Sequence, residues 1–374
     1  MGASINISSI KEQDIIKVLF SENSGIILQA KDSRLEALLK ERNIGFHKIG
    51  SANTSGVVEI NTGSEILDFN INEYRDLWYE KSFLFDQHQT SNNLARERYK
   101  NYKNQPLTYS FPAVFNGNKL KFSGIRPQAA ILREKGSNSE REMANALFQA
   151  GFEVRDVHMT DLINGREDLK DVRFLGAVGG FSNSDVLGSA KGWAGAIRYN
   201  EKANKAIMDF FKREDTLSIG ICNGCQLFLE LDLINPEHEN LAKMTYNDSG
   251  KHECQFTSVK IQENNSVMMK NLEGANLGVW ISHGEGKFNL PMQENDYKIV
   301  GKYSYELYPA NPNGSHYNAA MIVSEDGRHL ATMPHIERSF AAWNWAYYPD
   351  DRKDEWSPWA EAFVNARNYL VGPK

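Results

Sequence analysis

The residue of this sequence best placed to do chemistry is Cys222, which stands between two glycines in Gly220-Ile221-Cys222-Asn223-Gly224. Residues 217–221 form a short apolar run that suits a buried strand, and residues 226–231 suit a helix. A thiol at such a strand-to-helix turn has the pattern of a nucleophile elbow, which exposes the side chain above the sheet. The positive end of the following helix favours the thiolate over the thiol. The pattern predicts a nucleophilic cysteine, with a small buried cysteine at a strand end as the alternative.

A cysteine nucleophile needs a base and a group that orients the base. His335 and Glu337 supply both if residues 335–337 are extended, because residues two apart in a strand point to the same side. The carboxylate then holds one ring nitrogen while the other nitrogen faces the thiol, as in a catalytic triad. Taken alone, the same His-x-Glu sequence also fits a surface ion pair.

Donors for a developing oxyanion are predicted at Gly180 and Asn223. Gly179-Gly180 follows an apolar strand and offers flexible backbone N–H groups, and the N–H of Asn223 comes directly after the thiol. A glycine pair by itself is an ordinary turn. The order of the signals is nevertheless coherent, because the glycines and the cysteine each end a predicted strand. Sheet enzymes of this kind place their sites at the carboxyl ends of strands.

The elements that must position these residues follow an α/β pattern. Over residues 127–374 strands alternate with helices, which predicts a mostly parallel sheet with helices on both faces. Residues 1–103 are predicted to form a small preceding α+β unit without a motif for chemistry. Residues 104–126, which include Pro106 and Pro112, are predicted to be a linker.

Within the first unit the pattern predicts a hairpin of two strands, residues 15–20 and 25–29, around a polar turn. Residues 71–102 show a helical pattern rich in aromatic residues and are predicted to form one long helix. These elements carry no candidate site residue.

Composition limits the classes of function. The 374 residues carry a net charge of −6 without a cluster of Lys and Arg, which argues against binding to nucleic acid. No apolar run approaches the length of a membrane span, and the start of the chain lacks the pattern of a signal peptide. Three cysteines in a long chain argue against a disulfide framework. These features predict a cytoplasmic protein without a membrane partner.

Two other clusters have alternative interpretations. Cys222 and Cys225 have the spacing of a redox pair, and His252-Glu253-Cys254 brings together three residue types that bind metals. We predict a packed Cys225, because the elbow already explains the first cysteine. We predict no metal site, because one short cluster lacks a second pair of ligands.

Five segments carry a family resemblance: Gly220-Ile221-Cys222-Asn223-Gly224-Cys225-Gln226, Gly179-Gly180-Phe181-Ser182 with Asp185-Val186-Leu187-Gly188, Ser282-His283-Gly284-Glu285-Gly286, Tyr308-Pro309-Ala310-Asn311-Pro312-Asn313-Gly314-Ser315, and Met333-Pro334-His335-Ile336-Glu337-Arg338. They resemble the class I (triad) glutamine amidotransferase family, and within it the glutaminase domain of phosphoribosylformylglycinamidine synthases. This resemblance covers about residues 125–374. Residues 14–100 resemble the tail of the synthetase portion in the long, single-chain form of these enzymes.

The resemblance implies roles position by position. Cys222 is similar to the family's nucleophile, and His335 and Glu337 to the other members of its triad. The backbone N–H groups of Gly180 and Asn223 are similar to its oxyanion donors.

The resemblance also implies where glutamine binds. Gln226 is similar to a residue that contacts bound glutamine, and Ser282, His283 and Gly284 to the strand end that holds its α-carboxylate. The sequence departs from the family pattern nearby, since Asn183 and Ser184 replace the more usual Tyr-Gly. Val178 and Ile336 are further departures, and none of the four is a reacting group.

The implied reaction is hydrolysis of glutamine to glutamate and ammonia through a cysteinyl γ-glutamyl thioester. The ammonia would serve the ATP-dependent amidation of formylglycinamide ribonucleotide in purine biosynthesis. The synthetase domains and any phosphate loop of the Gly-x-x-x-x-Gly-Lys-Ser/Thr type are missing, so the resemblance implies a carboxy-terminal fragment. It implies no cofactor in this chain, with ATP and Mg in the missing portion. The expected partners are glutamine and the rest of the synthetase.

Two other classes of function compete with this interpretation. In an α/β-hydrolase-like thiol hydrolase the acid precedes the histidine along the chain, whereas Glu337 follows His335 here. A non-catalytic regulatory module of the same fold is expected to lack the nucleophile or the base, and both are present.

Overall fold

The computed structural model describes residues 1–10, 12, 14–104, 107–113, 115–119 and 121–372, and the chain divides into two compact units, Met1–His88 and Gln89–Lys374. This division precedes residue 103, the predicted end of the first unit. Residues 94–101 belong to the second unit because Arg98 donates to the buried carboxylate of Glu253 at 2.6 Å. Of the predicted linker, residues 105, 106, 114 and 120 lie outside the described residues.

The first unit is an α+β unit, as predicted. Its sheet has the strand order β2-β1-β3-β4, in which β1 and β3 are parallel and the other two pairs are antiparallel. Asn70 begins the longest helix by accepting a hydrogen bond from the Asn72 N–H at 3.0 Å. The elements are β1 (Gly2–Asn6), α1 (Ile15–Phe20), α2 (Arg34–Glu41), β2 (Gly50–Asn53), β3 (Val57–Asn61), β4 (Ile66–Asn70) and α3 (Ile71–Asp86).

Two predictions for this part of the chain were wrong. Residues 25–29 form no strand. Residues 15–20 form α1, because Asp14 caps this helix by accepting from the Ile16 N–H at 3.0 Å. An apolar run of this length suits a strand or a buried helix equally, so the cap decides. The predicted helix over 71–102 is two helices, since Asn92 and Asn93 adopt left-handed backbone conformations between them.

The second unit is built on a nine-stranded sheet of order β11-β10-β13-β14-β15-β8-β7-β5-β6. The strands are β5 (Gln128–Arg133), β6 (Glu153–His158), β7 (Phe174–Ala177), β8 (Leu217–Ile221), β10 (Glu253–Ile261), β11 (Asn276–His283), β13 (Lys298–Tyr303), β14 (Ala319–Val323) and β15 (His329–Thr332). A separate antiparallel pair consists of β9 (Lys243–Thr245) and β12 (Lys287–Asn289).

The sheet is mixed. The pairs from β15 through β8, β7 and β5 to β6 are parallel, and those from β11 through β10, β13 and β14 to β15 are antiparallel. The predicted α/β class is confirmed, but the parallel part is only half of the sheet. Parallel strands need long crossovers, usually helical, and between β10 and β15 the chain has no α-helix among its described residues.

Helices pack against the sheet in two groups, α5 with α10 and α6 to α9 with one another. Every side chain of β7 and β8 is buried between them, which accounts for the apolar runs in the sequence. The helices of this unit are α4 (Leu94–Asn101), α5 (Glu140–Gln149), α6 (Met159–Asn164), α7 (Lys191–Arg198), α8 (Glu201–Lys212), α9 (Asn223–Glu230) and α10 (Ala360–Val371). Across the residues that the structure describes, no helix has both the length and the apolar character to cross a bilayer.

The close approach of α9 to β7 gives a test of the fold. A Cβ at Gly224 would lie 2.1 Å from the carbonyl oxygen of Ala177, so Gly224→Ala should lower the free energy of unfolding by more than ~2 kcal/mol. Gly195→Ala is the matched control, because nothing lies within 4 Å of a Cβ at that helical position in α7. Alanine there should raise stability by about 0.5–1 kcal/mol. Urea unfolding measures both, and equal stability of the two variants would contradict the packing.

Candidate active site

Three adjacent parallel strands bring the predicted catalytic residues to one edge of the large sheet. β7, β8 and β15 are neighbours, so their carboxyl ends lie together. Gly180 comes shortly after β7, Cys222 directly after β8 and His335 shortly after β15. This is the sheet edge at which the sequence predicted a site.

Cys222 occupies a strained turn between β8 and α9. Its φ of 53° and ψ of −105° lie outside the regions that non-glycine residues usually adopt, as expected of a nucleophile elbow. The Cys222 N–H donates to the Thr332 carbonyl at 2.8 Å, which ties the turn to β15. Its Sγ lies 3.4 Å from the Ser282 carbonyl oxygen, and the residue is only 5% exposed.

The predicted base and acid lie beside this thiol. Nδ1 of His335 is 2.7 Å from Oε1 of Glu337, and both side chains are buried. The imidazole also lies beside Cys222, since both side chains border the space that a Cβ at Gly179 would take, and it interacts electrostatically with the Cys222 side chain. The structure thus joins thiol, imidazole and carboxylate in one buried chain of contacts.

The backbone that brings His335 and Glu337 together differs from the extended segment predicted for residues 335–337. His335 is bridged to Trp280, whose carbonyl accepts its N–H at 2.8 Å. Ile336 is helical, with φ −69° and ψ −28°, and Glu337 begins a 3₁₀ turn, Glu337–Ser339. The prediction of strand alternation was therefore wrong, and the two side chains meet because the chain turns between them.

Electrostatics favour the ion pair of this couple. Burial alone would lower the pKa of His335, but the Glu337 carboxylate and the neighbouring Cys222 side chain raise that pKa to about 10. Burial would raise the pKa of Glu337, but the charge and hydrogen bond of His335 hold it below its ordinary value. At neutral pH the couple is therefore imidazolium and carboxylate.

The two predicted oxyanion donors have backbone N–H groups without an acceptor in the described parts of the chain. Gly180 has φ +120°, and a Cβ there would lie 2.6 Å from the Asn138 nitrogen and the Ser137 Cα, so only glycine fits. The Asn223 side chain accepts from the Ser182 N–H at 3.1 Å. It thereby fixes the segment after Gly180 against the elbow.

Gly179 has a closer relation to the site than the sequence indicated. A Cβ there would lie 2.9 Å from Cε1 of His335 and 3.5 Å from Cβ of Cys222. The residue leaves room for nucleophile and base to meet. The only signal in the sequence was the doubling of the glycine.

The residues predicted to bind glutamine lie at the end of β11 and on α9. Ser282 contacts the thiol through its carbonyl, and its hydroxyl is 3.0 Å from Nε2 of His252. Gln226 is buried, and its amide is already engaged: Oε1 accepts from Asn223 at 3.0 Å and Nε2 donates to the Glu285 carbonyl at 2.7 Å. Gln226 thus links the elbow helix to the turn after β11.

Asn247 holds that turn together and was missed by the sequence interpretation. Its N–H donates to the Gly284 carbonyl at 2.9 Å, and its side-chain amide donates to the His283 carbonyl at 2.7 Å. Its Oδ1 lies 3.1 Å from Nδ1 of His283, which is buried. Burial, with the charges of His335 and His252, lowers the pKa of His283 to about 3, so this ring is neutral. No motif marked Asn247 in the sequence.

The other cysteines differ from Cys222 in their surroundings. All three are free thiols, Cys225 is fully buried and Cys254 is exposed. Burial, followed by the charge of Cys222, raises the pKa of Cys225, which keeps it protonated.

The His252-Glu253-Cys254 cluster is occupied by protein contacts. Glu253 accepts from Tyr308 at 2.7 Å and from Arg98 at 2.6 Å. Within the described ranges no three His, Cys, Asp or Glu side chains are grouped as a metal site requires.

Comparison with known proteins decides the family. Residues 126–370 match the family described as CobB/CobQ-like glutamine amidotransferase domain. The chain belongs to this glutamine amidotransferase family. The family and the fold predicted from the sequence motifs are thus confirmed. Cys222, His335 and Glu337, which together form a buried relay, are the candidate site of a glutamine amidotransferase.

Curated relatives extend the similarity to nearly the whole chain. A protein of Arabidopsis thaliana named "probable phosphoribosylformylglycinamidine synthase, chloroplastic/mitochondrial" is 37% identical over 386 residues, covering 95% of this chain and 27% of its own length. The human phosphoribosylformylglycinamidine synthase is 37% identical over 395 residues, covering 96% of this chain and 30% of its own. This amidotransferase chain therefore spans less than a third of the length of these relatives.

A solved structure supports the same assignment. The structure of PurLQS from Thermotoga maritima aligns with a TM-score of 0.53 and 26% identity. The alignment covers 66% of this chain and all of the matched chain. The matched fold therefore extends over about two thirds of this chain.

We predict that a glutamine-like electrophile labels Cys222 alone. The elbow and His335 activate this sulfur, whereas Cys225 is buried and Cys254 has no base among its described contacts. Peptide mapping after treatment with the chloroketone analogue of glutamine should find one modified cysteine. Cys254→Ser, the matched control at the exposed thiol, should keep both labelling and activity. Equal labelling of Cys225 or Cys254 would contradict the assignment.

We predict that Glu337→Gln keeps the fold and lowers kcat by about 10³–10⁴-fold, as the analogous change does in other triads. The amide keeps the size of the side chain but removes the charge that raises the pKa of His335, so that pKa should fall. Ammonia release measures the first effect and NMR titration of His335 the second. Glu142→Gln, at a half-exposed acid on α5, is the control. Turnover of Glu337→Gln at the parent rate would make Glu337 a structural partner only.

Proposed function

We propose that this chain hydrolyses glutamine to glutamate and ammonia with Cys222 as the nucleophile. The observation that carries the proposal is the buried relay of Cys222, His335 and Glu337 in a member of a glutamine amidotransferase family. The backbone N–H groups of Gly180 and Asn223, which have no acceptor among the described residues, supply the further element that an acyl transfer needs.

In the first half of the proposed reaction, Sγ of Cys222 attacks the amide carbon of glutamine and a sulfur–carbon bond forms. The carbonyl electron pair moves to the oxygen, which the Gly180 and Asn223 N–H groups stabilise. The carbon–nitrogen bond then breaks as His335 gives its proton to the nitrogen. Ammonia leaves, and a γ-glutamyl thioester remains on the cysteine.

In the second half, neutral His335 takes a proton from a water molecule that attacks the thioester carbon. The sulfur–carbon bond breaks, glutamate is released, and thiolate and imidazolium are restored. Glu337 stabilises the imidazolium each time it forms and keeps the ring oriented.

We propose that glutamine lies along the end of β11. The Ser282 carbonyl is next to Sγ, and Asn247 donates to the His283 and Gly284 carbonyls, which fixes the backbone of the strand end that we propose to hold the α-carboxylate. Gln226 keeps its predicted role as a glutamine contact. Its hydrogen bond to the Glu285 carbonyl also fixes the turn after β11.

The destination of the ammonia is a further part of the proposal. The relatives are named phosphoribosylformylglycinamidine synthases and are more than three times as long as the matched region. We therefore propose that ammonia passes to a synthetase portion that binds ATP, Mg and formylglycinamide ribonucleotide. The cytoplasm is the proposed compartment, in keeping with three free thiols.

The competing functions are less well supported. A thiol hydrolase of the α/β-hydrolase type has its acid before the histidine, whereas Glu337 follows His335 by two residues. A non-catalytic module needs neither a buried ion pair nor free oxyanion donors beside a thiol.

The 181–188 loop, which follows Gly180, gives a reason to expect control of the reaction. Asn183, Ser184 and Asp185 have φ of 54°, 57° and 49°, left-handed values that asparagine and aspartate tolerate better than serine does. Ser184 stands where the family usually has glycine. Val186 and Leu187, which follow, are 81% and 73% exposed. We propose that the synthetase portion covers this loop and shifts it, a population change of a few kcal/mol.

We predict slow ammonia release by this chain alone and faster release when a synthetase portion carrying nucleotide and acceptor is added. Ammonia and glutamate should appear in equal amounts, and Cys222→Ser should abolish both. A lack of glutaminase activity even with the added portion would refute the proposed function. A chain that is already as fast alone would refute control by the loop.

A further inference from the structure

Arg338 follows the triad glutamate and contacts both halves of the site, although no step of the hydrolysis uses it. Its Nη2 donates to Oδ1 of Asn138 at 2.7 Å. Its Nε lies 3.4 Å from Oε1 of Glu142 and 3.9 Å from Oε1 of Glu337. The side chain is 30% exposed, so its charge is partly screened by solvent.

The contact of Arg338 with Glu337 concerns charge. Glu337 is fully buried, and its Oε2 has no hydrogen-bond partner among the described residues. The cations that stabilise its negative charge are His335 and Arg338. When His335 gives its proton to the leaving nitrogen, Arg338 is the one of these two that stays positive. It therefore keeps the carboxylate ionised while the imidazole is neutral.

The contact of Arg338 with Asn138 concerns geometry. The N–H of Asn138 donates to the Gly179 carbonyl at 2.8 Å, and Ser137 forms a β-bridge with Gly180. Residues 137–138 thus form the backing of the Gly179-Gly180 turn. Because Arg338 holds the Asn138 side chain, it connects the turn that carries Glu337 to the turn that carries an oxyanion donor.

We propose that Arg338 is a positioning residue for glutamine hydrolysis, which holds the Gly180 N–H in register with the triad and supplies the second positive charge beside Glu337. The inference rests on the proposed function. It assigns to Arg338 an effect on turnover more than on glutamine binding.

The charged groups that face Glu337 come from several elements. His335 and Arg338 act on it directly, while Glu142 on α5 pairs with Arg338 and Cys222 at the elbow interacts with His335. His283 on β11 interacts with His335 but is neutral. Glu142 is 44% exposed, so it opposes the Arg338 charge only weakly.

The test begins with Arg338→Met. We expect kcat to fall roughly tenfold with KM changed less than about twofold, because the interaction acts in the transition state. Loss of the cation should raise the pKa of Glu337, so the acid limb of the kcat profile should move to higher pH. Arg338→Lys should restore the acid limb but not the full kcat, because lysine lacks the planar fork that reaches Asn138.

Two further variants separate charge from geometry. Asn138→Ala keeps the backbone bond to Gly179 but removes the side chain that Arg338 holds, and it removes no charge, so it should lower kcat and leave the acid limb in place. Glu142→Gln removes the other ion pair of Arg338 and should behave as the parent. Thermal unfolding checks that each variant is folded. If Arg338→Met does not fold, the comparison of Arg338→Lys with the parent tests the proposal.

A second readout keeps this inference distinct from the proposed function. The chloroketone analogue alkylates Cys222 with loss of chloride and needs no ammonia release, so its rate against pH reports on the thiol and its base alone. Arg338→Met should move the acid limb of alkylation as it moves that of kcat. Unchanged alkylation and unchanged turnover in Arg338→Met would overturn the role of Arg338. A parent chain that is alkylated at Cys222 but releases no ammonia, even with the synthetase portion added, would refute the proposed function instead.

Discussion

The buried carboxylate of Glu337 is the constraint on which the site depends. A carboxylate without access to water destabilises a protein by several kcal/mol unless a cation lies against it. Here the cation is the imidazolium of His335 at 2.7 Å, and the pair fixes both the charge and the orientation of the ring. The remaining side of the ring is thereby left for the thiol of Cys222. Glu337 thus keeps His335 protonated, and His335 in turn places a positive charge beside the sulfur of Cys222.

Bringing these groups together needs both halves of the mixed sheet. β15 pairs with β8 in parallel and with β14 antiparallel, so the segment that carries His335 leaves from the junction of the two halves. β11 is at the far end of the strand order, yet His335 is bridged to Trp280 on that strand and Sγ meets the Ser282 carbonyl. The parallel half provides the nucleophile and the oxyanion turn, and the antiparallel half provides the opposite wall.

The same edge holds an unusual concentration of left-handed backbone. Cys222, Gly180 and the residues at 183–185 all have positive φ, and only one of them is glycine. Such conformations persist where the surrounding structure over-determines them. The elbow is held by the Thr332 carbonyl and the Gly180 turn by residues 137–138. The 181–188 loop is held by Asn223 at Ser182, by the Lys135 carbonyl at Asn183 and by Ser189 at Asp185, whereas its residues 186 and 187 are exposed.

The sequence alone determined the features that depend on neighbouring residues. The strand before the elbow was predicted at residues 217–221 and is Leu217–Ile221, because an apolar run between a polar turn and a glycine-rich elbow has one plausible structure. The thiol, the histidine and the glutamate were likewise identifiable from residue type and order, since the chemistry needs those types at strand ends. Local patterns also misled where two structures satisfy them equally, as in residues 15–20, where the Asp14 cap selects a helix.

Tertiary structure decided whatever depends on distant partners. No local pattern contains the turn that joins His335 to Glu337, because it is set by the bridge to Trp280. The clamp by Asn247, the reach of Arg338 to Asn138 and the antiparallel half of the sheet are also contacts across many residues. Sequence periodicity reports which face of an element is buried, but not which element covers it. The chemistry was therefore readable from the residues, and its geometry only from the fold.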